Sequence, residues 1–301
     1  MNLKVKIAGV EFKNPFIAAS GTYGFAKSFA KLYDVSLLGG VCLKGLTLKK
    51  KDGNAPHRVA ETPCGMLNSV GLQNPGVDAF LKDTLPYLKT LDTVVIANVC
   101  GNTVEEYCEL ASKLNVDGID MFELNISCPN VKSGMAFGIN PESVEEVAKE
   151  VKKHCKKPLI VKLSPNVADI KANAKAAQEG GADAISLINT LLGMAIDVKT
   201  FKPKLNNVMG GLSGPAVKPV AVRMVYECAK TVSIPVIGLG GIVTGEDAAE
   251  FMIAGANAVQ IGTANLIDPF AMPKIINQFE DYLKSMGISD ANSIVGKIKL
   301  N

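Results

Sequence analysis

The sequence predicts an α/β fold, a single (β/α)8 TIM barrel, and three observations carry that expectation. Short apolar, β-branched runs alternate with helical patterns along the whole chain. The runs are continuously hydrophobic, as strands of a parallel sheet covered on both faces must be. Eight of them fit into 301 residues with no compositional break and no Pro/Ser-rich linker, so residues 1–301 read as one domain. A doubly wound open sheet is the alternative architecture.

The first element is "MNLKVKIAGVEFKNP", which reads as a short N-terminal β-hairpin, too short and too alternating for a signal peptide. Barrel strands follow at "FIAAS" (16–20), "GVCLK" (40–44), "VVIAN" (94–98) and "MFELN" (121–125). Four more lie at "LIVKL" (159–163), "AISLIN" (184–189), "PVIGLG" (235–240) and "AVQIG" (258–262). Helices are expected between them, for example at "NPESVEEVAKEVKKHCKK" and at "VADIKANAKAAQEGGA", whose Gly pair is a helix stop. Three connections are long (45–93, 126–158 and 190–234), and long barrel loops build active sites or lids.

Composition excludes several classes. A net charge of +3 is too small and too dispersed for nucleic acid, and "LKKKD" at 48–52 reads as a solvated loop. No apolar run approaches the ~18 residues of a membrane span. Seven cysteines, none spaced C-x-x-C, argue against a secreted disulfide framework and against zinc or iron–sulfur ligation. The expectation is a reduced, cytoplasmic enzyme with no metal of its own.

The strand ends carry the chemistry, since barrel sites form where strands finish. They read Ser20, Lys44, Asn98, Asn125, Lys162, Asn189, Gly240–Gly241 and Gly262–Thr263. Any one could be a cap or turn residue. Together they describe a cleft rich in amide and ammonium donors with almost no carboxylates, suited to an anionic, carbonyl-rich ligand. "GLGGI", "IGTAN" and Gly214 in "GGLSGPA" let backbone N–H groups approach a phosphate after the seventh and eighth strands. "GLGGIVTG" lacks G-x-G-x-x-G spacing, so a dinucleotide fold is not supported. Lys44 and Lys162 end apolar strands, where an ammonium is costly to bury unless negative charge meets it.

"LNISCPNV", "KGLT" at 44–47, "NSVGLQNPG" at 68–76 and "IGLGGI" together resemble the dihydroorotate dehydrogenases, in order and spacing through essentially the whole chain. The resemblance implies an enzyme with one flavin mononucleotide (FMN) per chain that oxidises (S)-dihydroorotate to orotate in pyrimidine synthesis. It implies flavin contacts at Ser20, Lys44, Gly45, Asn98, Asn125, Lys162, Ile188, Gly214, Gly240, Gly241, Gly262 and Thr263. Substrate would be surrounded by Lys44, Asn68, Ser69, Val70, Gly71, Leu72, Asn125, Asn130, Asn189 and Thr190.

Cys128 would be the base, because the cytosolic branch of the family carries cysteine where the membrane-associated branch carries serine and an N-terminal extension. "GMLNSVGLQNPG" resembles the type that passes electrons to NAD through a partner, an iron–sulfur flavoprotein subunit carrying FAD and [2Fe-2S], in a heterotetramer built on a homodimer of this chain. The fumarate-using type, closer to N-S-M-G-L-P-N, and a dihydropyrimidine dehydrogenase module are the neighbouring alternatives.

The residues themselves point the same way. Asn offers a donor and an acceptor to each amide edge of a pyrimidine. Lys162 would stabilise an anionic reduced flavin, and Lys44 the substrate carboxylate or the flavin. His57 sits in a turn-rich loop and His154 on a Lys-rich helix, neither at a strand end, while a cysteine near cationic groups ionises readily. Cys100 reads as a core thiol, and Gly134 and Gly138 suggest that the loop after Cys128 moves. Rival classes are a cofactor-free sugar-phosphate isomerase or lyase, which usually needs carboxylates or lysines at its strand ends, and a non-enzymatic flavin- or metabolite-binding module.

Overall fold

Eight parallel strands close into a barrel in the computed structural model, which describes residues 1–126 and 137–300. In chain order they are Phe16–Ala18, Gly40–Cys42, Val94–Val99, Met121–Asn125, Leu159–Lys162, Ala184–Leu187, Val236–Leu239 and Ala258–Ile261. The last pairs with the first to close the sheet. Every run expected to be a strand is one, because a central parallel strand must be apolar on both faces. Leu159–Lys162, Ala184–Leu187, Val236–Leu239 and Ala258–Ile261 are buried at all positions.

Several strands stop one or two residues before the expected end. Ser20, Lys44, Asn189, Gly240 and Gly262 lie just past the ladder, where the chain turns out of the sheet.

The expected N-terminal hairpin is present as Val5–Ile7 paired with Val10–Phe12. Ala8 and Gly9 turn it with φ of 48° and 88°, the mirror-image turn that suits a tight hairpin. It plugs the N-terminal end of the barrel. Val5, Ile7 and Phe12 cluster with one inward residue from each barrel strand: Ile17, Cys42, Ile96, Met121, Ile160, Ala184, Ile237 and Ala258. A larger cluster joins the outer strand faces to the helices.

Both quoted helices form where their caps allow. Pro141–Lys153 begins at Asn140, whose side chain accepts from the Ser143 N–H, and Ile170–Glu179 begins at Asp169 and ends at Gly180. Lys218–Ala229 and Gly245–Ala254 follow the sixth and seventh strands, the latter opened by a Thr244/Asp247 capping box.

The long connections hold structure that the sequence did not reveal. Val59–Thr62, Gly65–Asn68, Met209–Ser213 and Leu191–Met194 form a four-stranded antiparallel sheet, with Asn68 opposite Gly211. It draws one pair of strands from 45–93 and the other from 190–234, and supplies a wall over the C-terminal end of the barrel. Cys128, Asn130 and Gly134 lie outside the described residues.

Candidate functional site

The barrel interior changes polarity in steps of two residues, because alternate strand positions point inward. Below lie Ile96, Met121, Ile160, Ala184 and Ala258. Two residues on along the same strands come Asn98, Glu123, Lys162, Ser186 and Gln260, all buried. Another step reaches Asn125, Ile188 and Gly262, which line an open cavity. An apolar layer thus supports a polar one, of which Asn98 and Lys162 reach the cavity floor.

The floor is a chain of amides. Asn189 Nδ2 donates to Asn125 Oδ1 at 3.3 Å, Asn125 Nδ2 to Asn98 Oδ1 at 3.4 Å, and Asn98 Nδ2 to Glu123 Oε1 at 2.7 Å. Lys162 ends the fifth strand on the same floor, 3.7 Å from Glu123 Oε1. Burial pushes the Glu123 carboxyl up, but the Lys162 ammonium and donors from Gln260, Cys42 and Ser186 outweigh it and hold the group below the usual carboxylate range. Burial and then the Glu123 charge push the Cys42 thiol well above its ordinary range, so Cys42 stays an S–H donor to that carboxylate at 3.2 Å. Cys100 is buried as expected and donates to Asn98 Oδ1.

One rim of the cavity is built from glycines. Gly214, Gly240 and Gly241 have φ of 99°, 134° and 83°. At Gly241 a Cβ would meet Gly214 O and Lys218 Cβ at 2.8 Å, so two loops approach there as closely as backbone permits. Gly262 differs: its nearest neighbour to an added Cβ is 3.7 Å away, and the free side faces the cavity. The backbone N–H groups of Gly241, Gly262 and Thr263 donate to no acceptor among the described residues. Thr263 Oγ1 donates to Ser213 Oγ at 2.8 Å and so ties the rim to the added sheet.

Among the expected flavin-side residues, Ser20, Lys44, Gly45, Asn98, Asn125, Lys162, Ile188, Gly214, Gly240, Gly241, Gly262 and Thr263 all line this cavity. Among the expected substrate-side residues, Asn68, Val70, Leu72, Asn189 and Thr190 line it as well. Ser69 and Gly71 do not, since alternate positions of that segment turn away. Neither histidine does: His57 is exposed and His154 meets Ser112 on the outside. No Asp or Glu lines the cavity among the described residues.

The sequence reading overlooked Glu123, although a carboxylate inside the apolar "MFELN" was a visible signal, costly unless paired. It also missed Val59, Met66 and Ser213, which reach the cavity from the unforeseen sheet.

These residues fit a flat, phosphate-bearing flavin. The glycine rim presents amide donors to a phosphate, and the amide and ammonium floor presents donors to ring carbonyls.

The sequence profile of the dihydroorotate dehydrogenase family matches residues 2–283. Relatives over the full chain are named "Dihydroorotate dehydrogenase B (NAD(+)), catalytic subunit". The protein of Thermoanaerobacter sp. is 55% identical over 302 residues, covering 100% of each chain. That of Alkaliphilus oremlandii is 55% identical over 298 residues, and that of Caldicellulosiruptor bescii 54% over 301, covering 99% and 100% of each chain respectively.

Proposed function

The chain belongs to the dihydroorotate dehydrogenase family, and on that premise we propose that it oxidises dihydroorotate to orotate with FMN as the catalytic subunit of an NAD-linked enzyme. The observation that carries this reading is a cavity that no carboxylate lines among the described residues: two lysines and a row of asparagines at strand ends, beside a glycine rim whose N–H groups meet no acceptor among those residues. Gly214, Gly241, Gly262 and Thr263 would hold the FMN phosphate, and Asn98, Asn125 and Lys162 would hold its ring. The chemistry FMN would supply when bound is that of a hydride acceptor for C6 of the substrate.

The chain supplies the rest. Asn68, Asn125 and Asn189 match the amide edges of the pyrimidine ring, and Lys44 meets the substrate carboxylate or the flavin. Lys162 favours negative charge at the flavin edge. Cys128 takes the C5 proton, and Asn130 joins the residues that bind the substrate. The relatives' title of "catalytic subunit" supports a second subunit, which we assign as an iron–sulfur flavoprotein with FAD and [2Fe-2S], joined to a homodimer of this chain in a heterotetramer in the cytoplasm.

Anaerobic mixing tests the core of this reading. The purified chain should carry a yellow cofactor that bleaches with dihydroorotate and not with dihydrouracil, which offers no carboxylate to Lys44. Absence of flavin, or equal bleaching by the two compounds, would overturn it.

A further inference from the structure

Glu123 has no part in the chemistry just assigned, yet five groups converge on it. Its Oε1 accepts from Asn98 Nδ2 at 2.7 Å and Cys42 Sγ at 3.2 Å, and stands 3.7 Å from Lys162 Nζ. Its Oε2 accepts from Gln260 Nε2 at 2.6 Å and Ser186 Oγ at 2.9 Å. The side chain is fully buried and does not line the cavity, so it is set back from any ligand held there.

A packing role alone accounts poorly for this arrangement. An apolar residue of similar volume would fill the position without desolvating a carboxylate, which costs several kcal/mol before its partners compensate. The partners are unevenly placed. Asn98 and Lys162 are cavity-floor residues, while Cys42, Ser186 and Gln260 sit behind them and hold the carboxylate in place.

We propose that Glu123 is a positioning residue of the redox site: its carboxylate anchors Asn98 and Lys162 from beneath and offsets part of the Lys162 charge felt by the flavin. The inference rests on the flavin reading above. It has a sign that a structural role lacks. Lys162 makes the reduced, negatively charged flavin easier to form, so a negative charge 3.7 Å behind it opposes that effect. Removing the charge while keeping the shape should raise the flavin's reduction potential.

The test is an anaerobic redox titration of the purified, FMN-loaded full chain against a reference dye. In Glu123→Gln the ratio of reduced to oxidised flavin at a fixed poise should rise about tenfold, about 30 mV for a two-electron couple. Glu123→Asp draws the charge back by one methylene and should move the ratio the same way by less. Lys162→Ala should move it the opposite way. A Glu123→Gln chain poised at or below the wild type overturns the proposal. Where that variant fails to fold, a Glu123→Asp chain at or below the wild type overturns it equally. A wild-type chain that holds no FMN overturns the flavin reading and this inference with it, whereas a flavin-loaded chain without the shift overturns this inference alone.

Discussion

Lys162 is a residue on which cavity and barrel interior meet. It is almost entirely buried, it faces the cavity, and its counter-charge lies behind it at Glu123. An ammonium so placed acts on whatever negative charge develops above it, in surroundings where water screens little. Lys162→Ala should therefore weaken FMN retention and make bound flavin harder to reduce, and an unchanged midpoint potential would remove Lys162 from this role. Cys128 makes a second claim at the same scale. Cys128→Ala should keep FMN but slow flavin reduction by dihydroorotate at least ~10²-fold, the usual scale for a general base. Cys128→Ser should retain some activity that rises with pH, since a hydroxyl needs more basic conditions to accept the proton. Near-normal reduction by the alanine variant, followed in a stopped-flow trace, would sink the assignment. Residues at strand ends were legible because a polar group closing an apolar run is conspicuous. Glu123 and Gln260 were equally polar but sat inside their runs, where only the two-residue inward period singles them out.

At the scale of elements, the eight strands and the N-terminal hairpin could be read directly because each is a local pattern with turn residues around it. The four-stranded sheet over the cavity could not. "LLGM" and "MGGLS" are short, glycine-bearing and partly exposed; they pair with each other, and "MGGLS" pairs on its other side with Gly65–Asn68, far away in sequence. Pairing of that kind is fixed by register between distant loops, for which a single run gives no signal. The rim glycines separate two consequences of adding one methyl group. Gly241→Ala places a Cβ 2.8 Å from Gly214 O at a φ of 83°, so it should cost about 1–2 kcal/mol of stability for the backbone conformation alone, seen as a lower thermal midpoint, and loosen FMN as well. Gly262→Ala has room for its methyl and no positive φ, but it narrows the cavity beside the unclaimed N–H groups. It should leave the thermal midpoint of the flavin-free chain unchanged while weakening FMN binding at least ~10-fold, the factor expected for about 1.4 kcal/mol of lost contact. Equal effects of the two substitutions on stability and on FMN titration would contradict this division of the rim.

For the whole molecule, the question is where the electrons go. Oxidation of dihydroorotate leaves two electrons on the flavin, and an acceptor must collect them. In the proposed site, substrate and flavin would share the one cavity at the strand ends, so a nicotinamide would have to compete for the same space. The chain has no G-x-G-x-x-G segment to hold NAD elsewhere, and no group of metal-ligating side chains among the described residues to pass electrons through a cluster. Among the described residues no helix is long and apolar enough to cross a membrane. Relatives matched over essentially their full length are named catalytic subunits of an NAD(+)-linked enzyme, and a catalytic subunit implies a companion. The isolated chain should accordingly reduce artificial dyes with dihydroorotate but reduce NAD negligibly. Adding an iron–sulfur flavoprotein from the same cell should restore NAD reduction, and the active assembly should sediment as a complex built on a dimer of this chain. Rapid NAD reduction by the pure chain would show that no relay is needed. Fumarate reduction fast enough to be the main activity would instead place the acceptor at the catalytic cavity itself, because fumarate is small and anionic and the two lysines there would serve it as they serve the substrate.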